Sequence, residues 1–231
     1  MAAAPYQTII VGVDFSAGSL AALKVAADLA RRSGAMLRVY HFVYVEIAEE
    51  HRRAWQDGLT RVEDIAKEDL GRFVERALGS WEGLQIRIEA RLGHRFIEIV
   101  KAIEDHKADL LVLGIHGRHH PGNQAPGLLA TKCVRKAPCE VMLVTDEATV
   151  PFNQILVAVD YSENSGLALR EAIQIRDLTG ARVHVVHVSL PPWLFLMHEG
   201  LEGIKVTDQA REAYGRKQES DMMAFLEGLE L

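Results

Sequence analysis

Three glycines in the middle of the chain have the spacing of a backbone built to approach an anion. Gly114 and Gly117 are separated by two residues, and nine more, Arg118 to Pro126, separate Gly117 from Gly127. Without a Cβ, such a loop can bring main-chain N–H groups close to phosphate oxygens. Leu128 to Lys136 follow with helical spacing. The N-terminus of that helix would turn unpaired N–H groups and the positive end of its dipole toward the same anion. Arg118 supplies positive charge in the loop, and Pro121 and Pro126 stiffen it.

Other reactive side chains are sparser. Asp14 ends the first apolar run, and nothing near it in sequence completes an acid/base pair. Ser16 lies beside it in the position of a helix cap. His116, His119 and His120 have the short spacing of a transition-metal site, but no Cys or carboxylate lies in their loop to complete a shell, so solvated loop histidines are expected. Cys133 and Cys139 form neither a CxxC pair nor a disulfide framework and read as two buried thiols of a reducing, cytoplasmic compartment. No Ser-His-Asp or Cys-His arrangement can be placed.

These residues need a scaffold, and hydrophobic periodicity supplies one. Thr8 to Val13 is a β-branched run suited to a strand buried on both faces. A helix follows from Ala17 to Arg32, stopped by Gly34, and Met36 to Val43 is a second strand. Glu49 to Leu78 reads as a long helix, Leu84 to Leu92 as a third strand, and Arg95 to His106 as a helix. Asp109 to Leu113 is the strand that runs into the glycine loop. After the helix Leu128 to Lys136, Pro138 marks a break and Val141 to Val144 is a fifth strand. Strict alternation implies an α/β fold, a parallel sheet with helices on both faces. Ligands in such sheets bind beyond the carboxyl ends of the strands, where the strand order reverses.

The chain then starts again. Ile155 to Ser162 repeats Ile9 to Ser16 at an offset of 146 residues, and the register holds through Gly34 and Gly180, and His41 and His187. The expected domains are residues 1–147 and a partial second copy, 152–231. The second copy holds two strands and two helices and has no counterpart of Gly114, Gly117 or Gly127. The run Leu190 to Met197 is read as core or interface of that copy. The matched histidines are expected to be structural, and Asp160, the counterpart of Asp14, lacks a partner loop.

The motifs Ile10-Val11-Gly12-Val13-Asp14-Phe15-Ser16, Ala108 to Gly117, and Ala137 to Val144 together resemble the universal stress protein family. The resemblance covers the first domain and half of a second. It implies a five-stranded parallel sheet in order 3-2-1-4-5, and dimers or pseudo-dimers that pair through the fifth strand, here Val141 to Val144. It also implies ATP, with or without magnesium, bound through G-x2-G-x9-G-[S/T]. Asp14 would contact the adenosine part, its ribose by preference, and Phe42 or Val43 would wall the adenine pocket. One position departs from the pattern. Leu128 replaces the hydroxyl residue, and the lost phosphate contact is worth about 1 kcal/mol or somewhat more.

Composition narrows the function classes. A net charge of −6 and the lack of a basic stripe with interleaved aromatics argue against nucleic acid. No apolar run approaches the roughly 20 residues of a membrane span, and Met1 to Pro5 lacks the features of a signal peptide. The expected function is regulatory binding of ATP or a related adenine nucleotide. Slow ATP hydrolysis or nucleotidyl transfer is a weaker alternative, since no Walker lysine or clear general base is present. A third reading is a dimerisation module whose loop is a relic.

Overall fold

The computed structural model describes residues 5–45, 56–117, 125–194 and 206–229. They form two compact units, Met1–Pro151 and Phe152–Leu231. The first is a five-stranded parallel sheet in order β3-β2-β1-β4-β5, as the family resemblance implies. Its elements are β1 (Thr8–Gly12), α1 (Ala17–Ser33), β2 (Met36–Tyr44), α2 (Gln56–Leu78), β3 (Gln85–Gly93), α3 (Arg95–His106), β4 (Leu110–Gly114), α4 (Leu128–Lys136) and β5 (Glu140–Val144). The start expected for α2 and its Trp55 fall outside the described residues.

The apolar runs become the central strands because both faces of a parallel sheet must be covered. Ile10, Tyr40, Phe42 and Leu111 pack beneath Ile99, Ala102 and Ile103 of α3 and Cys133 of α4. Strand alternation turns Ile9, Val11, Leu37 and Val39 to the other face, and all four are fully buried. The small residues Ala22, Ala26, Ala27 and Ala30 let α1 approach closely. β1 and β4 are direct neighbours, with Ile9 opposite Leu110 and Gly12 opposite Leu113. The carboxylate of Asp109 pins their starts together, accepting from the N–H groups of Gln7 (2.7 Å) and Thr8 (2.8 Å). The order therefore reverses between β1 and β4, and both run out at the same end of the sheet.

A polar knot lies under β2 and β3. The Tyr40 hydroxyl donates to Glu89 Oε2 (2.9 Å) and must then accept from His106 Nε2–H (2.8 Å). Arg38 holds the other Glu89 oxygen at 2.6 Å, and Arg91 pairs with Asp105 at 2.8 Å. Burial and the neighbouring carboxylate push the Tyr40 phenol up to about 12. Desolvation holds the His106 imidazole below its ordinary value.

The second unit contains β6 (Gln154–Ala158), α5 (Glu163–Thr179), β7 (Arg182–Val186) and α6 (Asp208–Glu227), with β6 and β7 parallel. Val157, Val159, Leu169 and Ala172 form its small core. Leu156 is 71% exposed, whereas its counterpart Ile10 is 0% exposed. The difference follows from the elements α3, β4 and α4, which cover Ile10 and have no equivalent among the described residues of this unit. The charges at the end of the chain lie on α6, in exposed pairs such as Lys217–Asp221. Residues 195–197 of the apolar run after β7 fall outside the described residues, and Leu190 is 79% exposed. One thiol departs from expectation. Cys133 is buried, but Cys139, at the mouth of the edge strand β5, is only half-buried. Burial still raises both thiols to about 11.

Candidate functional site

The site begins where β1 ends. Val13 N–H donates to the Tyr40 carbonyl (2.8 Å), and the Val13 carbonyl accepts from His41 Nδ1–H (2.6 Å), which fixes that histidine's tautomer. Phe15 then adopts a left-handed backbone, φ 65°, rare for a residue with a side chain. Its ring is held between His41 (centroids 4.6 Å) and Phe73 (5.3 Å, edge-on). This reversal presents Asp14. Asp14 Oδ1 accepts from the Ser16 hydroxyl (2.5 Å) and from the Ser16 N–H (3.1 Å), and Ser16 Oγ accepts from Ser19 N–H (3.1 Å) as the cap of α1. Ser16 thus caps the helix, as its position predicts, and also orients the acid.

The other wall is the glycine loop. A Cβ on Gly117 would lie 2.9 Å from Asp14 Oδ2, so the strand-1 acid and the loop after β4 meet directly. Gly114 is tight for a different reason. A Cβ there would sit 2.7 Å from the carbonyl carbon of Gly18 and 2.9 Å from the Ser19 nitrogen, both backbone atoms of α1. Gly18 is needed in turn, because a Cβ on it would come within 3.1 Å of the His116 carbonyl. The loop base is closed by Ile115 N–H to the Val144 carbonyl (2.8 Å) and Gly127 N–H to the Ile115 carbonyl (2.8 Å). The chain therefore leaves β4 and returns to α4 at one point, whatever path lies between.

Gly127 is the N-cap of α4 and offers no side-chain hydrogen bond to the first turn. Leu128 stands at the head of that helix, 89% exposed, and Thr131 is exposed one turn on. Phe42 is a core residue, stacked on Tyr40 at 5.2 Å with its edge 4.0 Å from a Cβ on Gly12. Val43 is half-buried, and alternation sends it to the opposite face, so the two residues cannot share one wall. Arg118, His119 and His120 fall outside the described residues. His116 is within them, and its Nδ1 is buried with no hydrogen-bond partner there. Among the described residues no group of three His, Cys, Asp or Glu side chains is placed to hold a metal ion.

Geometry thus joins Asp14, Gly114, Gly117 and the base of the loop at Gly127. His41, expected to be structural, supports the turn through the Val13 carbonyl. Sequence reasoning missed the supporting residues Phe15 and Gly18. A signal was available for Gly18: a helix that opens Ala17-Gly18-Ser19 has small residues where something presses close.

Comparison with known proteins gives a consistent answer. The family model described as the universal stress protein family matches residues 5–145 and 151–227. A universal stress protein of Mycobacterium tuberculosis is 28% identical over 192 residues, covering 78% of this chain and 63% of the relative. The chain thus spans less than two thirds of that relative's length. One from Methanocaldococcus jannaschii is 28% identical over 142 residues, 60% of this chain and 82% of the relative. Among solved structures, a universal stress protein of Archaeoglobus fulgidus superposes with a TM-score of 0.59 at 21% identity, over 86% of this chain and 76% of its own. Universal stress protein UspA of Lactobacillus plantarum gives 0.50 at 25% identity, over 60% and 97%.

Proposed function

Because the chain belongs to the universal stress protein family, we propose that it is a stress-response regulatory protein that binds ATP or a related adenine nucleotide in the crevice between β1 and β4. The observation that carries this reading is the approach of Gly117 to the Asp14 carboxylate, so close that a Cβ there, 2.9 Å from Oδ2, would push the acid aside. A ribose hydroxyl would donate to Asp14. The phosphates would lie along the backbone of Gly114 to Gly117 and over the first turn of α4, whose N–H groups have no side-chain cap. Ser16 fixes Asp14 as an acceptor of hydrogen bonds, which suits holding a ligand better than abstracting a proton.

The absent hydroxyl at Leu128 weakens such binding without removing it. Hydrolysis, if any, would be slow. The edge strand β5, with Val141, Met142 and Leu143 half-buried, is the surface through which two chains would pair. Among the described residues no helix is long and apolar enough to cross a membrane.

Calorimetric titration of the full chain with ATP tests the reading. Saturable binding, lost in Asp14→Ala with the fold unchanged by circular dichroism, is the expected result. ATP binding that survives Asp14→Ala, or no binding by the parent protein, would overturn it.

A further inference from the structure

We propose that Lys132 is the phosphate-binding cation of the crevice, so that the site selects nucleotides by the charge of their phosphate chain. The proposal rests on the nucleotide reading above and deepens it. The Lys132 ammonium lies 4.3 Å from the centroid of the Phe96 ring, within the range at which a cation is drawn to an aromatic face. Phe96 is the second residue of α3 and is packed against the core cluster beneath that helix, so it is a fixed platform. Lys132 follows Leu128 by four residues, on the same stripe of α4. Side chains of a helix lean toward its N-terminus, which carries the ammonium back toward Gly127. The contact therefore ties α4 to the head of α3. α3 follows β3, α4 follows the loop after β4, and both cover one face of the sheet. In the order β3-β2-β1-β4-β5 the carboxyl ends of β2 and β1 lie between the two helix heads. Asp14 follows β1, so acid and ammonium share one mouth of the sheet.

The charge on Lys132 serves no purpose internal to α4. The head of a helix favours an anion and disfavours a cation. Arg135 and Lys136 obey that rule in the last turn of α4, whereas Lys132 reaches the other way, and the first turn holds no acidic residue to offset it. Among the described residues no carboxylate pairs with Lys132. An apolar side chain would cover Phe96 without bringing a charge toward a helix end of the same sign. A local conflict of this kind is expected where a position is set by function and not by packing. An anion bound at the head of α4 removes the conflict. The same stripe shows why this chain needs a cation there. Leu128, one turn earlier, is 89% exposed and has no hydroxyl to donate. An ammonium carries three donors, and its attraction grows with the charge of the ligand as a hydroxyl's does not.

The full-length chain is titrated calorimetrically with ATP, AMP and adenosine. Lys132→Met keeps the reach of the side chain and removes its charge. It should weaken ATP by about tenfold, AMP by less, and adenosine not at all, because a hydrogen bond to a charged group is lost only where phosphates are present. Added salt should weaken ATP more in the parent than in Lys132→Met. Lys132 is exposed, so the variant should melt with the parent. ATP binding unchanged in Lys132→Met, or ATP and adenosine weakened equally, would overturn the assignment and leave the nucleotide reading in place. Failure of the parent to bind ATP would overturn that reading and this proposal together.

Discussion

Alanine at Gly117 and alanine at Gly114 add the same methyl group to the same loop and should do opposite things. At Gly117 the new Cβ would lie 2.9 Å from Asp14 Oδ2, where ordinary contact begins at 3.4 Å. The carboxylate must therefore retreat by about half an ångström, the tolerance within which a binding constellation has to be held. A side-chain terminus can make that move cheaply, so stability should stay within about 0.5 kcal/mol of the parent. The retreat rotates Asp14 away from the ligand and against its two Ser16 hydrogen bonds at 2.5 and 3.1 Å. Losing half or more of a charged hydrogen bond worth about 1.5–3 kcal/mol weakens ATP by roughly tenfold.

At Gly114 the Cβ would meet backbone, at 2.7 and 2.9 Å from Gly18 and Ser19, and backbone in a capped helix turn cannot retreat. Overpacking of that kind costs about 1–3 kcal/mol, and each kcal/mol lowers Tm by about 2–4 °C in a chain of this size. Calorimetric ATP titration and a thermal melt on both variants read the two effects separately. Gly117→Ala binding ATP as tightly as the parent would refute the shared pocket. Gly117→Ala melting as low as Gly114→Ala would show that the close approach is architecture, with no bearing on a ligand.

Two further predictions follow from the same geometry. Leu128→Ser restores a hydroxyl at the head of α4 and should tighten ATP by roughly fivefold, from a hydrogen bond worth about 1 kcal/mol; an unchanged affinity would mean that no phosphate sits there. The Tyr40 phenol has its folded value raised from 10.0 to about 12, so the folded state holds the proton longer than the unfolded chain. Its contribution is therefore fully present below pH 10 and is lost as pH rises toward 12. Denaturant unfolding across that window should show a falling stability that Tyr40→Phe flattens, and a parent curve that is already flat would remove the argument.

Much of this fold is legible in one sequence because its elements announce themselves locally. The helices Arg95–His106 and Leu128–Lys136 have the bounds their periodicity predicts, and Ser16 and Gly34 close α1 by cap chemistry alone. Strand ends drift by a residue, as at β3, because a ladder is ended by its neighbour's length and not by its own composition. Distances between segments are legible only where a residue type records them. Gly117 records the nearness of Asp14, and Gly18 records the nearness of the loop. Nothing in the sequence says whether Phe42 or Val43 faces a given side, since that depends on the register of β2 against β1. The exposure of Leu156 and the half-burial of Cys139 likewise depend on elements elsewhere in the chain.

The second unit shows which features of the site are diagnostic. Tyr161 repeats the left-handed turn of Phe15, φ 64° against 65°. His187 Nδ1–H donates to the Val159 carbonyl at 2.8 Å as His41 does to Val13. Ser162 caps α5, and Asp160 accepts from its N–H at 3.0 Å. Acid, serine, strained aromatic and histidine are thus all kept where, among the described residues, no strand like β4 and no glycine loop adjoin them. Their first task is to reverse the chain from strand to helix, and hydrogen bonds from Ser162 hold the Asp160 carboxyl below the usual carboxylate range with no ligand involved. Asp14 alone therefore carries little functional weight. What converts a folding device into a candidate site is the arrival of β4, whose glycines bring a backbone against an acid that the turn had already positioned.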